Sequence, residues 1–146
     1  MRAASVPAVV VALTVAVAVS VAGCAAADDD AGASLAREVT YSGQSLDAQA
    51  FADLAAADAV VVLDVRTPEE FAAGHLAAAV NLDVSAPDFA TRAAELDPGV
   101  TYAVYCRSGN RSQTAMTMLR DAGVASLADL AGGIDAWIQA GRAVVV

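Results

Sequence analysis

Thr101-Tyr102-Ala103-Val104-Tyr105-Cys106-Arg107-Ser108-Gly109-Asn110-Arg111-Ser112 changes character twice within twelve residues. Thr101 to Tyr105 is an apolar run of strand length, and it ends in a cysteine. A short loop with one glycine and two arginines follows. Ser112 then opens a helical pattern through Met116, Met118 and Leu119. The order strand, loop, helix puts a thiol at the C-terminal end of a strand, facing the N-terminus of a helix. Amides at a helix start have no partner within the helix, and the helix dipole adds partial positive charge. Both favour a thiolate, which is the nucleophilic form of cysteine.

The same alternation extends outward on both sides. Upstream, Val60-Val61-Val62-Leu63 is an unbroken apolar run, as expected of a strand buried on both faces of a parallel sheet. It ends at Asp64-Val65-Arg66. Thr67-Pro68-Glu69-Glu70 then reads as a helix start, with Thr67 as N-cap, Pro68 at the first helical position and Glu70 closing a capping box. That helix stops at Gly74. Ala79 to Leu82 reads as a short strand, and Ser85-Ala86-Pro87-Asp88 starts a helix running to about Leu96. Still earlier, Asp47 caps a helix over Ala48 to Ala57, with Phe51 and Leu54 facing inward. Downstream, the helix after the cysteine loop ends at Gly123, Ser126 to Leu130 is a last strand, and Gly132-Gly133 turns into a helix carrying Trp137 and Ile138.

Strands alternating with helices predict an α/β protein: a three-layer α/β/α arrangement around a central, mainly parallel five-stranded sheet. In such sheets functional groups collect beyond the C-terminal ends of the strands. Cys106, Asp64 and Arg66 all fall there.

The whole chain has 146 residues, room for one domain with an ordinary core. The apolar fraction of 58% overstates that core, because alanine supplies much of it and aromatics are only 5%. Net charge is −9, which leaves no basic surface for phosphates and argues against a nucleic-acid partner. All eight basic residues are arginine, and two of them sit in the Cys106 loop. A local positive spot in an acidic chain points to a small anionic or thiolate-bearing ligand. Nothing in the residue pattern calls for a cofactor or a metal.

Residues 1–23 read as an export signal. Arg2 precedes an apolar run from Val6 to Ala22, and Val21-Ala22-Gly23-Cys24 closes it. The quartet resembles a bacterial lipobox, in which Cys24 is lipidated and becomes the first residue after cleavage. An ordinary signal peptide with an incidental cysteine, or an uncleaved anchor, is the plainer alternative. Residues 24–38, with Asp28-Asp29-Asp30 among small residues, read as the lipidated cysteine and a disordered acidic linker. A coil of about 15 residues spans about 20 Å, enough to hold a domain over residues 39–146 near a membrane. The expected location is the outer face of the cytoplasmic membrane.

Three separated blocks resemble the rhodanese-like domain family. Leu63-Asp64-Val65-Arg66 with Glu69-Glu70-Phe71, Gly74-His75-Leu76 and Ala79-Val80-Asn81 is similar to its first block. Tyr105 to Ser112 is similar to its active-site loop, and Leu130-Ala131-Gly132-Gly133 with Trp137 to its closing block. The resemblance runs from about Asp47 to Val144. The chain has Ala77-Ala78 where the family usually has Pro-Gly or a similar pair, a difference that touches a turn and no chemistry. The resemblance implies a sulfurtransferase with a persulfide on Cys106, taking sulfur from a thiosulfate-like donor and giving it to cyanide or a thiol. It also implies that the loop Arg107, Ser108, Gly109, Asn110, Arg111, Ser112 cradles the sulfur with inward amides, and that Arg107 and Arg111 supply charge to donor and sulfite. Phosphatases built on such a cradle place five residues between cysteine and arginine; Cys106 and Arg111 enclose four. The smaller ring favours sulfur over phosphate.

Each of these readings has a plainer rival. Cys106 could be a buried small hydrophobe, and Arg111 could brace the loop rather than touch a donor. Asp64 and Arg66 read as supports of the cradle, through an ion pair or loop hydrogen bonds. His75 invites the role of general base, but a thiolate favoured by its loop needs none, so it reads as architectural; Trp137 reads as core. A different class of function is a low-turnover persulfide carrier or thiol-binding module that presents sulfur to a partner. With Cys24 spent on the anchor, Cys106 has no resolving cysteine, which implies an external thiol reductant.

Overall fold

A computed structural model of the chain describes residues 40–146. The export signal, Cys24 and the acidic linker lie outside the described residues. Five strands and five helices alternate along the described chain: β1 (Ser42–Leu46), α1 (Ala48–Ala55), β2 (Val60–Asp64), α2 (Pro68–Ala72), β3 (Val80–Asn81), α3 (Phe89–Ala93), β4 (Thr101–Tyr105), α4 (Asn110–Asp121), β5 (Ser126–Leu130) and α5 (Gly133–Gln139).

The strands form one sheet in the order β1-β5-β4-β2-β3, and every pairing is parallel. After β2 the chain steps outward to β3, and after β4 it steps the other way to β5. The C-terminal ends of neighbouring β2 and β4 are therefore the topological switch point, where α/β sheets open a crevice. Arg66 follows one of these ends and Cys106 the other.

Side-chain alternation along β4 assigns the two faces. Tyr102, Val104 and Cys106 join Leu119 and Met116 of α4 and Phe89 of α3 on one side. Ala103 and Tyr105 join Phe51 and Leu54 of α1 and Ile134 of α5 on the other. Helices thus cover both faces, the three-layer α/β/α arrangement expected from the alternating pattern. Burying two apolar faces of one sheet is what lets β2 and β4 read as nearly continuous apolar runs.

Local expectations held where a cap or a glycine specifies the end. Asp47 accepts hydrogen bonds from the amides of Gln49 and Ala50, and Thr67 and Glu70 form the reciprocal capping box. Gly123 and Gly141 take left-handed φ values of 100° and 74° just past their helices. Two elements differ. The helix expected from Ser85 begins only at Phe89, because Asp83 Oδ1 accepts from the Ser85 amide and successive turns occupy Asp83 to Asp88. The helix expected to open at Ser112 begins at Asn110, so Ser112 lies in its first turn. β1 is an exposed edge with the sequence SGQSL, and no apolar periodicity marks it.

Candidate active site

Cys106 directly follows the central strand with 1% of its surface exposed, and it is the free cysteine of the described residues. The Gly109 amide donates to its Sγ at 3.1 Å. That requires Gly109 to turn back with φ +99°, a left-handed conformation that costs glycine nothing. The Ser112 hydroxyl lies 2.7 Å from the Gly109 carbonyl oxygen and closes the turn. Ser112 Oγ is also 3.8 Å from Cys106 Sγ. The sulfur therefore sits inside a loop that a helix start completes.

The other side of the loop is pinned by α5. The Ile134 amide donates to the Cys106 carbonyl at 2.9 Å, and the Asp135 amide to the Arg107 carbonyl at 3.2 Å. Because a trans peptide holds N–H and C=O antiparallel, the amides of Arg107 and Ser108 are turned away from α5. Gly133 makes this approach possible. It has φ +62°, and a Cβ there would collide with the Cys106 and Arg107 carbonyls. Gly133 is thus part of the loop's construction, though 25 residues lie between it and Arg107 in the sequence.

The three arginines near the site have different states. Arg111 makes a two-pronged pair with Glu70, Nη1 to Oε2 and Nη2 to Oε1, each at 2.7 Å. The hydrogen bond from Arg111 holds the Glu70 carboxyl down to about 2, and Glu70 in turn raises Arg111. Arg66 is almost wholly buried against Asp64, which has no exposure at all. It donates to both Asp64 oxygens and to the Gly74 carbonyl at 2.7 Å. Burial lowers the Arg66 pKa, but the Asp64 hydrogen bond and charge outweigh it and the net shift is upward. Arg66 also lies 5.6 Å from the centre of the Tyr105 ring, whose hydroxyl accepts from the Leu76 amide at 3.1 Å. Burial, above all, raises the Tyr105 pKa, so the phenol stays neutral. Arg107 differs from both. Its side chain is 70% exposed and 3.7 Å from Asp135. A cavity of about 330 Å³ opens beside it, walled also by Arg66, Glu70, Gly74, Ile134 and Ile138.

The structure therefore gathers Cys106, Arg107, Gly109, Arg111 and Ser112 around one loop, and Asp64 and Arg66 beneath the neighbouring strand end. Ser108 and Asn110 are exposed on the loop. Arg111 is bound to Glu70, whereas Arg107, with only the loose contact to the exposed Asp135, faces solvent. His75 Nδ1 donates to the Phe71 carbonyl at 3.0 Å and its ring stacks on Phe71 at 3.8 Å. Trp137 is only half-buried, set edge-on against Phe51, with Nε1 donating to the Ala143 carbonyl. In the sequence Glu70 reads as a capping residue. Its partner lies 41 residues away, so no local pattern exposes the pair.

A parallel sheet with a loop-held, buried cysteine at its switch point defines the class of this α/β protein. The chain belongs to the rhodanese-like domain family, whose model matches residues 47–140. It is 39% identical over 82 residues to thiosulfate sulfurtransferase GlpE of Pseudomonas entomophila, covering 56% of this chain and 72% of that one. It is 41% identical over 91 residues to an uncharacterized Synechocystis protein, covering 58% of this chain but only 46% of that one, a little under half. Among solved structures, a rhodanese-related protein from Thermoplasma volcanium matches at TM-score 0.62 and 34% identity, covering 70% of this chain and 97% of that chain.

Proposed function

We propose that the chain is a sulfurtransferase that carries sulfane sulfur on Cys106. The observation that carries this reading is the Gly109 amide aimed at Cys106 Sγ at 3.1 Å, in a loop of four residues before Arg111. An anion on sulfur is what such a donor stabilises. The Cys106 thiolate attacks the outer sulfur of a thiosulfate-like donor. A new S–S bond forms, the donor's S–S bond breaks, and sulfite leaves with the electron pair. The resulting persulfide anion lies among the loop amides. A thiol or cyanide then attacks its outer sulfur, and the Cys106 thiolate leaves. Arg107, exposed at the rim of the cavity and only loosely paired with Asp135, meets the anionic donor and the departing sulfite. Arg111 and Arg66, each held by a carboxylate, keep the loop in shape. Support also comes from relatives named thiosulfate sulfurtransferase. The lipobox-like quartet ending at Cys24 supports a membrane-tethered domain outside the cytoplasm, served by an external thiol reductant.

Thiocyanate formation from thiosulfate and cyanide tests the reading. Wild type is expected to turn over and Cys106→Ser to fall to background. Wild-type activity no greater than that of Cys106→Ser overturns the enzyme. A second reading, a persulfide carrier of low turnover, is favoured by the 1% exposure of Cys106. It predicts a lasting mass gain of about 32 Da on Cys106 after donor treatment, without turnover.

A further inference from the structure

One buried acid next to the site is used by none of these steps. Asp129 lies inside β5 with 1% exposure, and no cation pairs with it among the described residues. An isolated buried carboxylate is costly unless hydrogen bonds or a purpose retain it. Both of its oxygens receive hydroxyls. Ser45 Oγ of β1 donates to Oδ1 at 2.6 Å, and Ser112 Oγ of α4 is placed to donate to Oδ2 at 3.1 Å. Ser112 Oγ is in turn the acceptor facing the Cys106 thiol, at 3.8 Å. Gln113 Nε2, exposed on α4, donates to Ser45 at 3.1 Å and ties the far end of the chain to the surface. The single Ser112 proton has two acceptors, the Gly109 carbonyl at 2.7 Å and Asp129 Oδ2 at 3.1 Å. When it turns to Asp129, a directed path runs from the reacting sulfur through one hydroxyl to a carboxylate.

We propose that Asp129 takes the proton of the Cys106 thiol through the Ser112 hydroxyl. The S–H bond breaks and its proton joins Ser112 Oγ, while the hydroxyl proton of Ser112 passes to Asp129 Oδ2. Two bonds to hydrogen break and two form, and no oxidant or reductant is involved. One negative charge moves from the carboxylate to the sulfur, so the buried site carries a single anion before and after. The Gly109 amide and the start of α4 receive the charge on sulfur, which makes that end of the path the favourable one during attack. Asp129 touches no reacting atom and is a positioning residue acting through Ser112. Around Cys106 the other charged groups are Arg107 on the loop, Arg111 on α4 with Glu70 of α2, Asp83 after β3, Asp64 and Arg66 at the end of β2, and Asp135 on α5. None of these accepts from Ser112.

The inference rests on the sulfurtransferase reading for its role in turnover, but its test does not. The whole chain is alkylated with iodoacetamide from about pH 6 to about pH 9, and the rate is read by mass at the Cys106 peptide. Asp129→Asn is expected to slow alkylation about tenfold at pH 6 and less than about twofold at pH 9, where hydroxide removes the proton unaided. Equal slowing at every pH, no slowing, or faster alkylation at pH 6 overturns the relay; the last is the result if the carboxylate merely repels the thiolate. Ser112→Ala breaks the same path and is expected to show the same pH-dependent loss, which keeps the test decisive if Asp129→Asn fails to fold. Failure of wild type to make thiocyanate would sink the sulfurtransferase reading while leaving this alkylation profile in place.

Discussion

Ala78, the second residue of the Ala77-Ala78 pair, sits at φ +61° on the exposed turn before β3. A left-handed conformation costs an L-residue about 1–2 kcal/mol, because Cβ crowds the backbone. Glycine escapes that cost but loses more freedom on folding. Ala78→Gly is therefore expected to stabilise the domain by about 0.5–1 kcal/mol, read as a rise of about 3 °C in thermal midpoint. A fall in midpoint would show that the strain is absorbed elsewhere. The turn lies outside the cysteine loop, so sulfur transfer is expected to be unchanged. Gly133 shows the opposite choice: there the close approach of two loop carbonyls leaves no room for a side chain at all.

At the scale of elements, the Glu70–Arg111 pair ties α2 to the first turn of α4 across the mouth of the switch point. Arg111 holds the Glu70 carboxyl at about 2, below its ordinary value of 4.5. A depressed carboxyl contributes stability that is fully present above the unfolded value and is lost as pH falls through the folded one. The pair's contribution is thus expected to be complete above about pH 5 and to fade between about pH 4.5 and pH 2. Both side chains are about one-third exposed, with relative areas of 32% and 30%, so solvent screening limits the effect to about 1 kcal/mol. Denaturant titrations of wild type and Glu70→Gln check this: the stability difference should shrink toward zero as pH falls through that window. A difference that stays constant to pH 2 would mean the carboxylate charge is not what matters.

Across the whole molecule, the folded unit and its delivery are separate matters. The described residues 40–146 carry a complete sheet with both faces covered, and the cysteine site lies at one end of it. The tether proposed at Cys24 is tested independently of that fold. Cys24→Ala is expected to leave the protein unlipidated and shifted out of the membrane fraction, with thiocyanate formation intact. Unchanged mass and fractionation would remove the lipobox from consideration.

The α/β class, four of the five strands, the capped helix starts and the cysteine loop were all legible in the sequence. Each rests on local physics: apolar runs long enough to be buried strands, side chains that cap their own helix, glycines where the chain must turn left-handed. β1 was not legible, because an exposed edge strand needs no apolar period. Nor was the state of the arginines, since charge pairing depends on which helices meet. Tertiary structure alone set Arg111 against Glu70 and left Arg107 facing solvent. It alone brought Gly133 under the carbonyls of Cys106 and Arg107, and Asp129 beside Ser112. Those contacts join residues far apart in the chain, and only the parallel order of β5 beside β4 makes them neighbours.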